Sequence, residues 1–108
     1  MDFKETGFLK VLGDVSFSEK KIVLNPNDCF DLDLRMSDTT VAIHYGKSPA
    51  SWDEAVQGMY GNVYQNNNCK VGTVELSGRA LDKMGNPKRV RLHVVKDGKY
   101  PQLLIEGE

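Results

Sequence analysis

The dipeptide Asp97-Gly98, set between two apolar runs, is the feature that most constrains this chain. Asp-Gly is favoured at the centre of a two-residue hairpin turn, because both positions of a type I′ turn need a positive φ. Such a turn places Val94 opposite Pro101. Side chains alternate along a strand, so one face of this hairpin is purely apolar and the other is mixed. The sequence therefore predicts an antiparallel hairpin in this register.

A second turn signal, at residues 84–87, precedes the hairpin. Gly85 suits the first central position of a type II′ turn, and Pro87 suits the first position of a strand because proline has no N–H to donate. The two turns together predict a C-terminal three-stranded meander over 78–106. Its strands are expected at 78–83, 88–96 and 99–106.

Several other segments alternate apolar and polar residues, as half-buried strands do. The segment 29–36 shows this most clearly, because every second residue from Phe30 to Met36 is apolar while Asp31, Asp33 and Arg35 are charged. We therefore predict a strand there with one face in the core and one in water. Further strands are predicted at 8–12, 15–24, 40–45, 60–65 and 71–76.

One segment, about 51–59, carries the signals of a helix. Ser51 and Glu54 have the spacing of a capping box, in which each side chain satisfies a free backbone N–H of the first turn. Trp52 and Met59 recur at helical spacing and would face the core. Gly58 limits the predicted helix to two or three turns.

The length of 108 residues, with 40% hydrophobic and 27% charged residues, fits one folded domain over 1–108. No internal repeat is evident in the sequence. The strands and the short helix predict an all-β or β-dominated α+β fold, built as a small antiparallel barrel or sandwich. The N-terminus lacks the apolar region of a signal peptide, so we expect a cytoplasmic protein.

The chain has two cysteines, Cys29 and Cys69, and two histidines, His44 and His93. Their spacing matches no zinc motif and no nucleophile motif, so we expect no metal and no cofactor. A disulfide between the cysteines stays open, because it depends on the redox compartment. A Cys/His enzyme is the most distant of the functional alternatives.

The charges are divided unevenly along the chain. Residues 1–60 hold ten acids and six bases, a balance of −4, and residues 61–108 hold five acids and eight bases, a balance of +3. Asp31 and Asp33 lie on the wet face of their predicted strand, where they offer a negative surface to a basic partner. A hard cation is the alternative ligand for these carboxylates, although no EF-hand pattern is present.

The mixed face of the predicted meander carries Arg91, His93, Tyr100 and Leu104. Cationic and aromatic side chains on a small sheet can hold single-stranded nucleic acid by phosphate contact and stacking. In the predicted register Arg89 is flanked by acids from both neighbouring strands, which removes part of that positive charge. An OB-like nucleic-acid-binding domain is therefore the second hypothesis.

Trp52, together with Met59, Tyr60 and Tyr64, offers a surface patch for a protein partner, with burial in the core as the alternative. A small chain of mixed charge without a catalytic motif is typical of accessory, adaptor and inhibitor proteins, including phage-encoded ones. The favoured hypothesis is a non-enzymatic binding module that acts through a protein partner or by self-association.

Overall fold

The computed structural model of the protein describes residues 2–108, whose strands form one continuous sheet. The strands are β1 (Lys4–Glu5), β2 (Leu9–Asp14), β3 (Lys21–Leu24), β4 (Asp38–Tyr45), β5 (Met59–Gln65), β6 (Thr73–Ser77), β7 (Arg89–Val95) and β8 (Gln102–Gly107). The helices are α1 (Pro26–Asp31) and α2 (Gly78–Lys83). Neither helix is long and apolar enough to cross a membrane, and the search for such helices covered residues 2–108.

The sheet closes into a barrel because β7 pairs with β2 on one side and with β8 on the other. The ring runs β2-β6-β3-β5-β4-β8-β7, and β1 extends the line of β2 along β7. This confirms the predicted β-dominated class and selects the barrel over the sandwich. The prediction of an antiparallel barrel is only partly right, because three strand pairs are parallel: β2 with β6, β3 with β5 and β4 with β8.

The predicted strand 29–36 is wrong, because most of its first half belongs to α1. The Asn25 side chain accepts a hydrogen bond from the N–H of Asn27, and Pro26 occupies the first turn, where a missing N–H costs nothing. The helix turns Phe30 out to solvent. Cys29 and Leu32, which are three residues apart, enter the core instead.

The first strand of the predicted meander, 78–83, is also wrong, because these residues form α2. The Ser77 hydroxyl caps the helix by accepting from the N–H of Ala80 at 3.0 Å. Gly85 at φ 79° and Asn86 at φ 55° end it in left-handed conformations. The helix presents Leu81 to the core from the end of the barrel.

The predicted helix at 51–59 does not form, and these residues lie in a loop of turns and bends that leads into β5. The Ser51 hydroxyl accepts from the backbone N–H of Ser48 at 2.9 Å and so does not cap a following helix. Gly58 and Gly61 both approach neighbouring backbone closely, which favours an extended path over a helical one.

The C-terminal hairpin forms with the predicted faces and a register shifted by two residues. Val94 pairs with Leu103 and Leu92 with Ile105, and all four side chains are buried in the core. The connection is longer than predicted because β8 lies between β4 and β7, where proline would remove a ladder hydrogen bond. Pro101 therefore stays outside the strand.

Most of the other predicted strands are confirmed with shifted ends. Val41 and Ile43 point inward from β4, and Val74 and Leu76 point inward from β6, as predicted. The predicted strand 15–24 is only partly right, because residues 15–20 form a turn region and β3 begins at residue 21.

The barrel contains two copies of one β-β-α-β unit, β2-β3-α1-β4 and β5-β6-α2-β7. A shift of 52 residues relates the two units, so Lys10 corresponds to Asn62 and Lys21 corresponds to Thr73. The pairing of Lys10 with Thr73 is therefore equivalent to the pairing of Lys21 with Asn62. The helices begin at 26 and 78, which are also 52 apart. β3 and β6 are antiparallel, so α1 and α2, which follow them, begin at opposite ends of the barrel.

Candidate functional site

The loop between β4 and β5, residues 46–58, lies on the outside of the barrel and holds Trp52 half-buried. The Trp52 ring meets Phe3 and His44 with centroid distances of 5.7 and 6.0 Å, both edge to face. Gly58 lets the end of the loop pass close to His44, because a Cβ there would lie 2.7 Å from His44 Nε2. The indole N–H is buried and has no hydrogen-bond partner within the described part of the chain.

Beside Trp52 this loop leaves a cleft of about 210 Å³, which we call the aromatic cleft. Tyr60 also lines it and packs against Tyr100 with a centroid distance of 5.4 Å. Glu54 and Asp97 add two carboxylates to its lining. The lining residues are Ala42, Trp52, Glu54, Ala55, Val56, Gln57, Gly58, Tyr60, Asp97 and Gln102.

His93 lies on the outer face of β7 but is only 3% exposed. Its Nε2 is 2.8 Å from Glu106 Oε1, and its Nδ1 is 3.2 Å from Glu5 Oε2 without hydrogen-bond geometry. Phe3 packs edge-on against its ring, and the neighbouring Leu104 is fully buried. His93 therefore ties the N-terminal segment to the barrel, and neither His93 nor Leu104 is open to a ligand.

The arginines of the predicted nucleic-acid surface contact other side chains of the protein. The Arg91 guanidinium lies 4.3 Å from the centroid of the Phe8 ring, and Arg89 forms an ion pair with Glu108. Tyr100 packs on Tyr60 instead. The structure thus does not bring the four residues predicted for nucleic-acid binding onto one accessible face.

The C-terminal end of α1 carries an exposed surface that we call the α1-end surface, defined by Phe30, Asp33, Arg35, Met36 and Lys96. Phe30 is 68% exposed and Met36 is 70% exposed. The Arg35 guanidinium lies 5.9 Å from the Phe30 ring centroid and 3.0 Å from Asp33. Lys96 Nζ also lies 3.0 Å from Asp33, and hydrogen bonds from Lys96 and Arg35 lower the pKa of Asp33.

Two hollows, of about 320 and 390 Å³, share Asp33 and Lys96 in their linings. Leu32 and Val94 contribute apolar wall to the first hollow, and Leu34, Met36 and Pro101 contribute it to the second. The α1-end surface therefore combines apolar hollows with a charged ridge.

Asp33 has a left-handed backbone, with φ 57°. Its equivalent in the second unit is Gly85, since 33 plus 52 is 85, and Gly85 has φ 79°. A side chain in this conformation costs energy that glycine avoids, and strain of this kind is concentrated at functional sites. Asp31, the other predicted acid, is exposed at the last position of α1.

The two cysteines are buried free thiols. Burial, with the nearby charges of Asp28 and Cys69, raises the pKa of Cys29 to about 12, and burial likewise raises the pKa of Cys69. The reactive form of cysteine is the thiolate, so both environments disfavour a nucleophile. Within residues 2–108, no group of three or more His, Cys, Asp or Glu side chains is placed to hold a metal ion.

Comparison of the chain with family models, with curated proteins and with solved structures finds no match. Two exposed sites, the aromatic cleft and the α1-end surface, therefore remain as candidates for function. Sequence reasoning included Trp52, Tyr100, Asp31 and Asp33 among the binding residues. It missed Phe30 and Lys96, because the strand prediction turned Phe30 inward.

Proposed function

We propose that the protein is a non-enzymatic binding module and that a protein partner docks on the α1-end surface. The observation that carries this proposal is the exposure of Phe30, at 68%. Its equivalent on α2 is Asp82, since 30 plus 52 is 82, and Asp82 is exposed as well. The fold thus accepts a charged residue at this helix position, so an exposed phenylalanine is not needed for folding.

The surroundings of Phe30 have the composition of a protein interface. Phenylalanine, methionine and arginine are enriched at such interfaces. Here the Arg35 guanidinium lies 5.9 Å from the Phe30 ring centroid, and Arg35 shares the lining of a hollow with Met36. The hollow beside Met36 offers a place for an apolar side chain of the partner, and Lys96 and Asp33 offer charge for its polar rim.

Burial of the exposed apolar area sets the expected energy. Fully burying a phenylalanine or methionine side chain contributes about 1.5–3 kcal/mol. Phe30 and Met36 are 68% and 70% exposed, so burying what remains contributes roughly 1–2 kcal/mol each. Losing Phe30 alone should therefore weaken binding by roughly 5- to 30-fold.

The test is affinity capture with matched bait variants, using lysate of the organism that makes the protein. The baits are the wild type, Phe30→Asp, Met36→Lys and Val15→Asp. Val15 is 98% exposed in the turn after β2, at the α2 end of the barrel, and serves as the control. We expect one protein to be retained by the wild type and by Val15→Asp and lost from the other two baits.

The proposal fails if Phe30→Asp retains every protein that the wild type retains. It also fails if Phe30→Asp and the control Val15→Asp lose the same protein equally. Sedimentation of the purified variants separates self-association from a second protein, because a homodimer that uses this surface dissociates in Phe30→Asp. Unchanged thermal melts of the variants exclude unfolding as the cause.

A further inference from the structure

We propose that the aromatic cleft is a binding site for the alkylammonium group of an organic cation. Its walls include Trp52 and Tyr60, and its lining includes the carboxylates of Glu54 and Asp97. None of the ten residues that line it carries a positive charge. The cleft adjoins the α1-end surface, because Asp97 lines both the cleft and the first hollow. Neither Phe30 nor Met36 lines the cleft, so its occupation does not depend on the proposed partner.

Aromatic faces together with carboxylates select a cation for two physical reasons. The quadrupole of an aromatic ring attracts a cation within about 6 Å of the ring centroid, and tryptophan attracts it most strongly. A carboxylate at the rim adds Coulomb attraction, which is stronger next to the protein than in bulk water.

The size of the cleft limits the ligand to a small group. Pockets for drug-sized molecules and cofactors have volumes of about 300–1,000 Å³. The aromatic cleft has about 210 Å³, which suits a head group or the tip of a side chain. A free quaternary ammonium compound and the methylated side chain of a protein lysine share this chemistry.

The walls of the cleft are held in place before any ligand binds. Trp52 packs against Phe3 and His44, and Tyr60 packs against Tyr100. The Gln102 Oε1 is 2.7 Å from His44 Nε2, which fixes that part of the lining. Preorganised walls reduce the entropic cost of binding.

The buried indole N–H of Trp52 is a second indication that this packing serves more than stability. A buried donor without an acceptor costs about 1–3 kcal/mol. Trp52 Nε1 has no acceptor within the described residues, although the loop that carries it is on the surface. Retention of tryptophan at this cost is expected where its ring is used for binding.

Trp52 is the single tryptophan of the chain, so its fluorescence reports on the cleft directly. The probes are tetramethylammonium, choline, a peptide with one trimethylated lysine, the same peptide unmodified, and 3,3-dimethylbutanol, which is the neutral isostere of choline. We expect saturable fluorescence changes with choline and the trimethylated peptide. The neutral isostere should bind roughly 2- to 30-fold more weakly, because a cation–π contact contributes about 0.5–2 kcal/mol.

Matched variants locate the signal. Tyr60→Leu and Asp97→Asn should each weaken choline binding by roughly 2- to 30-fold, from the same range of cation–π and charge energies. Tyr64→Leu, on the same strand but outside the cleft, should leave it unchanged. Tighter binding of the trimethylated peptide than of choline would identify a protein tail as the source, and the reverse a free compound.

Three results would each overturn the proposal. The first is the absence of any saturable change up to about 100 mM of every cation, a limit well above millimolar affinity. The second is equal affinity for choline and its neutral isostere. The third is an equal loss in Tyr60→Leu and Tyr64→Leu.

Discussion

Replacing Gly61 by alanine tests the arrangement of the barrel at its tightest point. Gly61 lies in β5 beside the start of β3, where the N–H of Asn62 donates to the carbonyl of Lys20 at 2.8 Å. A Cβ at Gly61 would lie 2.5 Å from the Lys20 carbonyl oxygen and 2.7 Å from Ile43 Cδ1. The nearest atom belongs to the backbone, so a rotamer change cannot relieve the clash.

The expected cost follows from overpacking. Forcing an extra methyl group into a well-packed place costs about 1–3 kcal/mol. For a domain of this size that range lowers the midpoint of thermal unfolding by roughly 4–15 °C. The sign of the change in stability is itself informative. At unstrained positions a glycine-to-alanine change stabilises a protein by about 0.4–1 kcal/mol, because it reduces the conformational entropy of the unfolded chain.

The assay is thermal unfolding followed by circular dichroism, with Gly7→Ala as the control. A Cβ at Gly7 meets nothing within 4 Å, so this variant should melt within a few degrees of the wild type. If Gly61→Ala melts at or above the wild-type temperature, β3 does not pass beside Gly61 and the reasoning is refuted.

Two further predictions concern buried titratable groups. The pKa of the Cys29 thiol is raised to about 12 from 9.0, so the native state keeps this proton at pH values where the unfolded chain loses it. The free energy of unfolding should therefore fall as pH rises above 9. The native protein should also react with a thiol reagent only after denaturation. A fall in stability above pH 9 that is smaller in Cys29→Ser than in the wild type would support this, with the buried Cys69 accounting for the remainder, and rapid labelling of the native protein at pH 8 would contradict it. Burial raises the pKa of Asp28, whose Oδ2 accepts from the N–H of Gly72 at 2.9 Å, so its ionisation costs stability at neutral pH. Asp28→Asn keeps a hydrogen-bond acceptor without the charge and should melt at or above the wild-type temperature at pH 7. Asp28→Ala should lose about 1–3 kcal/mol of the free energy of unfolding, measured by chemical denaturation. Equal losses of stability in both variants would show that the charge, not the acceptor, matters.

The parts of the fold that the sequence predicts well are those with local alternation. β4 alternates Val41 and Ile43 with outward residues, and the C-terminal hairpin alternates over its whole length, so their faces are correct even where the register is shifted. A shift of two residues keeps every side chain on its face, which is why the hydrophobic pattern cannot detect it.

The two helices were missed because each has only six residues. A segment this short does not separate a helical period from strand alternation, and Phe30 to Met36 satisfies the strand pattern by chance. The signals that were present are the caps, Asn25 before Pro26 and Ser77 before Gly78. The capping box at Ser51 was misleading, because the loop that contains it buries too little apolar surface to support a helix.

The candidate sites depend on long-range closure, which local patterns do not carry. The aromatic cleft joins Trp52 from one loop, Tyr60 from β5 and Asp97 from the last turn. Sequence reasoning grouped Trp52 with Tyr60 in one candidate surface patch but had no basis for Asp97 as their neighbour. The same holds for Lys96, which reaches Asp33 only because β7 ends beside α1.

The dissociation constant of the captured partner, compared between the wild type and Phe30→Asp, tests the central claim most directly. Calorimetry with purified proteins gives this ratio, and Val15→Asp provides the matched control. If the partner docks on the α1-end surface, the dissociation constant rises roughly 5- to 30-fold for Phe30→Asp, from the 68% exposed area of the side chain, and does not change for Val15→Asp. Equal dissociation constants for the wild type and Phe30→Asp would show that the partner binds elsewhere and would contradict the account.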